Sequence, residues 1–301
     1  MLFIFAEMPY GPHGAIGRIM RHFCLLVGYA VFVRAAAQDP PHRAYTVADG
    51  LSSNTVYCAA QDHEGYMWFG TDAGACRFDG QRFVHFTASD GLPDNEVLGI
   101  HVDGSGRVWF LGLNGRAGFY SQGTFSQAAN TSSLAAIQGH HGLLSIADDG
   151  KGGVWIGGFD SELFHWSEGK VTQTEILVPN VPPTRGMVKL LRLTDGSLFA
   201  MCNMALFDIG DGPPRFRRMW GSGEQGYPLA VPSGDHFIAV GRSRLLEVRP
   251  DADRLIALLD SGATVHGGRM PFVGRDGDIW CGWENGGVVR VRERDGQRPL
   301  V

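Results

Sequence analysis

Gly65-Tyr66-Met67-Trp68 returns along this chain as Gly106-Arg107-Val108-Trp109, Gly152-Gly153-Val154-Trp155, Gly196-Ser197-Leu198-Phe199, Gly234-Asp235-His236-Phe237 and Gly277-Asp278-Ile279-Trp280. The successive aromatic residues are 41, 46, 44, 38 and 43 residues apart. A glycine held three places ahead of an aromatic through six copies marks an internal repeat. A period of about 40–45 residues is that of a propeller blade.

Working outward from that tetrapeptide, each unit has one internal order. An apolar strand comes first, as in Thr55 to Ala60 and Glu96 to Ile100. A tight acidic turn follows, as in Asp62-His63-Glu64-Gly65 and Asp103-Gly104-Ser105-Gly106. Glycine suits such turns because it takes positive φ without a steric penalty, and Asp can accept from nearby backbone amides. The aromatic sits on the second strand. A short turn then leads into a third, as in Gly74-Ala75-Cys76-Arg77-Phe78, and Arg82 to Phe86 supplies a fourth. The fold class expected is all-β, a β-propeller of about six four-stranded blades over residues 42–301. A seventh blade would have to lie in the weakly repeating stretches near 121–140 or 221–233, or beyond Val301. A bulky side chain at one strand position in every unit reads as a wedge between neighbouring sheets and not as a stacking platform for a ligand.

Composition agrees. The 301 residues include 43 glycines, about twice the usual share, with 44% hydrophobic residues and no collagen-like period. Such a mixture gives many tight turns between short, well-packed strands. A formal charge of −5 offers no electrostatic case for a nucleic-acid partner. The basic triplet Arg215, Arg217 and Arg218 reads as a solvated strand face. Cys24, Cys58, Cys76, Cys202 and Cys281 contain no CxxC pair. Cys58 and Cys76 could meet as a disulfide within one unit, but core packing as free thiols is the leading reading.

The two ends carry their own expectations. Arg18, Arg21 and His22, the apolar run Phe23 to Val33 and the small residues Ala35-Ala36-Ala37 read as an export signal over residues 1–37, with an alternative start at Met20. The run is short for a membrane span. At the other end, the sixth unit stops soon after Asp295-Gly296 without a clear fourth strand. Arg43-Ala44-Tyr45-Thr46-Val47 precedes Asp49-Gly50-Leu51 much as Arg82 to Phe86 precedes Asp90-Gly91-Leu92. It is therefore expected to supply the missing strand and close the ring.

Catalytic, cofactor and metal residues are assigned to none. The chain has no GxxxxGK[ST], HExxH or GxSxG, and no GxGxxG between a strand and a helix. Asp148-Asp149-Gly150-Lys151-Gly152 is superficially phosphate-like but occupies the turn shared by the repeats. Asp62, Asp103 and Asp149 each precede their Trp by six residues and are expected to cap turns. His140-His141 is the one adjacent histidine pair; with no carboxylate or thiolate at zinc spacing it reads as a solvated loop. Asn130-Thr131-Ser132 matches a glycosylation sequon and carries no weight here.

Asp90-Gly91-Leu92-Pro93-Asp94-Asn95-Glu96-Val97 and Asp49-Gly50-Leu51-Ser52-Ser53-Asn54-Thr55-Val56, with Gly65 to Thr71 and Phe78-Asp79-Gly80, resemble the two-component regulator propeller repeat. In that family such repeats form the extracytoplasmic sensor of membrane histidine kinases. The resemblance implies a non-catalytic sensor in the periplasm or on the extracellular face of the inner membrane. Its partner would be an unknown small ligand, a carbohydrate among the options, or a protein. A histidine kinase region would act in cis or in trans, since these residues hold neither phosphoacceptor nor ATP-binding motifs, and the sequence is expected to be either a truncated sensor or a free-standing one. Two rivals stand beside it. One is a lyase or hydrolase propeller resembling streptogramin lyase, which requires His140, His141, His236 and His266 to converge. The other is a protein-interaction ring, which predicts an exposed apolar patch in place of a concave polar pocket.

Overall fold

The computed structural model describes residues 44–127, 131–179, 186–203, 205–219, 229–240, 244–258, 271–274, 278–282, 288–294 and 297–300. The export signal expected over 1–37, Arg43, His266 and Asn130 lie outside them, as do 221–228 of the weak stretch. Contact clustering separates residues 1–45 from a unit spanning Thr46–Val301, and the description concerns the latter.

Among the described residues the strands form six four-stranded sheets. The first holds β1 (Val56–Gln61), β2 (Met67–Thr71), β3 (Gly74–Phe78) and β4 (Phe83–Phe86). The second holds β5 (Val97–Val102), β6 (Val108–Gly112), β7 (Ala117–Ser121) and β8 (Thr124–Ser126). The third holds β9 (Leu143–Asp148), β10 (Val154–Gly158), β11 (Glu162–Ser167) and β12 (Lys170–Glu175). The fourth holds β13 (Lys189–Arg192), β14 (Leu198–Cys202), β15 (Ala205–Ile209) and β16 (Arg215–Met219). The fifth holds β17 (Leu229–Ser233), β18 (His236–Val240), β19 (Arg244–Val248) and β20 (Asp253–Leu258). The sixth holds β21 (Phe272–Val273), β22 (Ile279–Gly282), β23 (Val288–Arg294) and β24 (Gln297–Leu300). Every sheet is an antiparallel meander in chain order, the arrangement of a propeller blade.

Strand period 2 explains how these sheets stack. Along β6, Val108 and Phe110 turn toward the first sheet and pack with Trp68 and Ala75. Trp109 and Leu111 turn the other way, onto Leu143, Val154, Ile156 and Phe164 of the third. Trp155 and Leu163 pack on Leu190, Leu198 and Phe207 of the fourth. Leu191 and Phe199 meet Phe237 and Leu246 of the fifth, and Ile238 and Leu245 meet Ile279 and Val291 of the sixth. The repeated aromatic is an inter-sheet wedge in five of the six copies: Trp68, Trp109 and Phe237 are fully buried and Trp155 and Phe199 nearly so, with Phe237 facing back onto the fourth sheet, whereas Trp280 is half-buried.

One expectation is corrected. The sixth sheet has its own fourth strand, β24, paired with β23 at Arg292↔Leu300 and Arg294↔Gln297. Residues 44–46 form no strand and Val47–Asp49 is a 3-10 turn, so the closing role given to Arg43 to Val47 is not taken up by its described residues. Matching Asp49 with Asp90 maps β4 onto 42–45, which shows where the register slipped. Cys58 and Cys76 are not bonded to each other, in keeping with the leading reading of the sequence. Both thiols are free, on β1 and β3 with β2 between them. Burial pushes the Cys58 thiol up to about 11.

Candidate functional site

A meander places its turns at two ends. The turn between the first and second strands and the turn between the third and fourth share one end. The turn between the second and third, and the segment entering the first strand, share the other. The two ends differ in kind.

The first end is scaffold. Asp62 Oδ1 accepts from the backbone N–H of Glu64 and Tyr66 at 3.0 and 2.9 Å, while Oδ2 accepts the indole N–H of Trp68 at 2.7 Å. Asp103 repeats this with Ser105, Arg107 and Trp109, at 2.9, 3.0 and 2.8 Å. Asp149 caps Lys151 and Gly153 in the same way, but its Oδ2 meets His165 Nε2 at 2.9 Å, and Trp155 stacks on that imidazole at 4.1 Å. The three aspartates cap turns, and two of them also hold the wedge tryptophan. Burial would raise the Asp103 carboxyl, yet the donors from Trp109 and Arg107 outweigh it and hold the group below the usual carboxylate range.

The same end bolts sheet to sheet. Arg107 Nη2 donates to Gly152 O at 2.7 Å, and Arg192 donates to Asp148 O. Arg218 reaches the carbonyls of Arg249, Pro250 and Ala252 and the carboxylate of Asp253. Arg217 pairs with Asp208 at 2.9 Å. Arg215 is exposed as the sequence predicts, whereas Arg217 and Arg218 are ion-paired.

The opposite end carries the motif of the resemblance, and there too its residues build turns. Thr87 N and Oγ1 both donate to Asp90 Oδ2 at 2.8 Å, Ala88 N donates to Asn95 Oδ1 at 2.8 Å, and Gly91 takes φ 112°. Thr46, Asp49, Val47, Asn54 and Gly50 repeat this set. Leu92 then drops into the core between the first two sheets.

Where the repeat weakens, this end opens into a cleft of about 510 Å³, lined by Leu113, Asn114, His140, His141, Phe159, Asp160 and Met187. Three consecutive sheets contribute. Glycines make the approach close: Gly139 N donates to Gly115 O and Ser161 N to Gly186 O. Each histidine of the adjacent pair turns Nδ1 inward to a carboxylate, His140 to Glu162 at 2.5 Å and His141 to Asp160 at 2.6 Å. The rings are exposed, at 71% and 60% of their side-chain surface, and the carboxylates are covered, at 5% and 13%. Glu162 also accepts from His140 N at 3.0 Å and from Gln173 at 3.3 Å.

The turn that aims Asp160 is unusual. Asp160 and Ser161 take φ 61° and 64°, where the matching turns of the first two sheets put glycine, Gly74 and Gly115, at the positive angle. Side chains other than glycine in that region cost about 1–2 kcal/mol each, and such residues cluster at functional sites. His140-His141 lies on an exposed loop, as the sequence predicts, and the structure adds a carboxylate behind each ring. These carboxylates come 19 and 22 residues later, through the pairing of β10 with β11, a relation no sequence spacing announces. The convergence required by the lyase reading is not met: His236 starts β18 beside Asp235, at the opposite end of the sheets from His140 and His141. Among the described residues no group of three or more His, Cys, Asp or Glu is arranged to hold a metal ion.

Residues 50–73 match the family described as two component regulator propeller. Streptogramin B lyase is similar in structure at TM-score 0.59 and 14% identity, over 81% of this chain and 85% of that one. The extracellular domain of a hybrid two component system from B. thetaiotaomicron is similar at TM-score 0.60 and 15% identity, over 83% of this chain and 33% of that one. The WD40 beta propeller domain of Doa1 is similar at TM-score 0.55 and 14% identity, over 80% of this chain and 79% of that one. This chain spans about a third of the two component extracellular domain. No curated protein matches it. At these identities the likeness is one of fold, and the fold is a β-propeller.

Proposed function

We propose that this propeller is the recognition module of an exported two-component sensor, taking a small ligand at the cleft of His140, His141 and Asp160 and passing its state to a histidine kinase region in cis or in trans. One observation carries the reading. The regular repeat positions serve mainly as scaffold, with a pocket of about 300 Å³ between the turns at Asp103 and Gly150, whereas the cleft of about 510 Å³ where the repeat weakens has carboxylate-backed imidazoles and apolar walls. Its volume falls in the range of small-molecule sites, about 300–1,000 Å³, and its lining mixes apolar walls with a few fixed polar groups. A concave, partly polar site favours ligand recognition over the protein-interaction ring, which calls for an exposed apolar patch. The match at residues 50–73 and the extracellular two component neighbour support the sensing context and an exported location. Among the described residues, no helix is long and apolar enough to cross a membrane.

The test is a thermal-shift screen of saccharides, organic acids and short peptides against the protein and its His141→Ala variant. A ligand selective for the native state must raise the apparent midpoint. The expected result is a set of hits whose shift disappears in the variant. Hits that stabilise both proteins equally would place recognition elsewhere.

A further inference from the structure

The cleft's chemistry narrows what can sit in it. Its charged groups form two layers. Glu162 and Asp160 lie behind, and the imidazoles of His140 and His141 stand in front, between those carboxylates and solvent. A cationic ligand group approaching from solvent meets rings before carboxylates. With Nδ1 of each ring committed inward, Nε2 on the opposite side of the ring is the atom offered outward.

Each carboxylate is held in place to remain an acceptor. Glu162 takes three donors, from His140 N, His140 Nδ1 and Gln173 Nε2. Asp160 is aimed by the positive-φ turn it shares with Ser161. When such a ring is protonated, its outward Nε2 is a charged donor. Among the described residues no lysine or arginine lines the cleft, and the two rings are the lining groups that can carry positive charge. Among the described residues, the surrounding elements also carry Asp94 and Arg116 beside the turn after β6, Glu96 at the backbone bonded to Leu113, Glu175 opposite Glu162 on β12, Lys189 at the start of β13 and Cys202 beside Ser161. Leu113, Phe159 and Met187 supply apolar walls next to the rings.

We infer that the cleft takes an amphipathic organic anion, with its carboxylate or equivalent acid group on the outward Nε2 atoms of His140 and His141 and its apolar body against Leu113, Phe159 and Met187. The inference rests on the proposed recognition role of this cleft and deepens it. In the bound state each ring lies between two anions, the internal carboxylate and the ligand's. Binding therefore couples to proton uptake and tightens as the pH falls through the range in which histidine charges.

Benzoate and its neutral isostere benzamide are suitable probes, titrated into the protein at pH 7.5 and pH 5.5 while the imidazole carbon-bound proton resonances are followed by NMR. Benzoate is expected to shift the His140 and His141 resonances, to bind about tenfold more tightly at the lower pH, and to outcompete benzamide there. His140→Gln and His141→Gln keep a polar side chain of similar reach without the charge; each is expected to weaken the pH dependence and the double variant to remove it. His236→Gln, at the other end of the sheets, is expected to leave it intact. Benzamide binding as tightly as benzoate, affinity that falls on acidification, or no response of either ring would overturn the inference. A neutral screening hit that still required His141 would sink it while leaving the recognition role standing.

Discussion

Trp109 joins three interactions that fix its place. Its ring is wholly buried between the second and third sheets, it lies edge-on to Trp166 at 5.3 Å, and its N–H is bound by Asp103. Trp109→Ala should cost about 3–5 kcal/mol, the range for large aromatic truncations in a core, measured as a shift in urea midpoint. Asp103→Ala leaves that indole and the Arg107 guanidinium without their acceptor, and should cost about 2–3 kcal/mol at neutral pH. The sign with pH follows from Asp103 being held below the usual carboxylate range in the folded state. Its contribution is present above the unfolded carboxyl's range, near pH 4, and is lost as the pH falls through the folded value, so the gap between wild type and variant should close in acid. A gap that widened on acidification would contradict the assignment. At this scale the sequence was informative in part. A spacing of six from Asp to Trp announced a turn cap, but the bond from carboxylate to indole depends on how β6 twists past its turn. His165 replacing the indole at Asp149 depends on a cross-strand pair, Trp155 with His165.

Elements were legible where the repeat is strict and less so where it is not. The first strands expected at Thr55 to Ala60 and Glu96 to Ile100 form one residue later, at Val56–Gln61 and Val97–Val102. β24 escaped notice because Gln297-Arg298-Pro299-Leu300 has neither alternation nor β-branched residues, and a proline there is acceptable only because the strand lies at the sheet's edge. The Asp-Gly-Leu motif, by contrast, was visible as sequence and opaque as mechanism until its hydrogen bonds were laid out. Gly91 combines φ 112° with a position where a Cβ would lie 2.7 Å from Phe125 Cβ, whereas Gly80, at φ 96°, has open space around it. Gly91→Ala should therefore cost about 2 kcal/mol or more, and Gly80→Ala about 1 kcal/mol from the backbone alone. Equal denaturation midpoints for the two variants would argue against the turn packing described for this motif.

For the whole molecule, the division of labour between the two ends of the sheets is the main result. One end carries aspartate caps, arginine bolts and a pocket of about 300 Å³ between them, and the other carries the cleft of about 510 Å³. None of this could be read as a site from the sequence. His140-His141 stood as an isolated pair because its partners arrive through strand pairing and a turn at Asp160 and Ser161. The weakness of the repeat near 121–140 was the available signal, and it ends at the cleft proposed here, which the packing of three sheets forms. Rejection of the lyase convergence belongs to this scale too, since His236 sits on a turn that the meander sends to the far end.

The account's central claim is that recognition occurs at the His140/His141 cleft and not at the capped end. Amide hydrogen exchange with and without a stabilising ligand from the screen measures this directly, because binding suppresses local opening where the ligand sits. The predicted result is new protection confined to the segments around 113–115, 140–142, 159–161 and 186–188, with 103–107 and 148–153 unchanged. Protection appearing at 103–107 and 148–153, with the cleft segments unaffected, would contradict it.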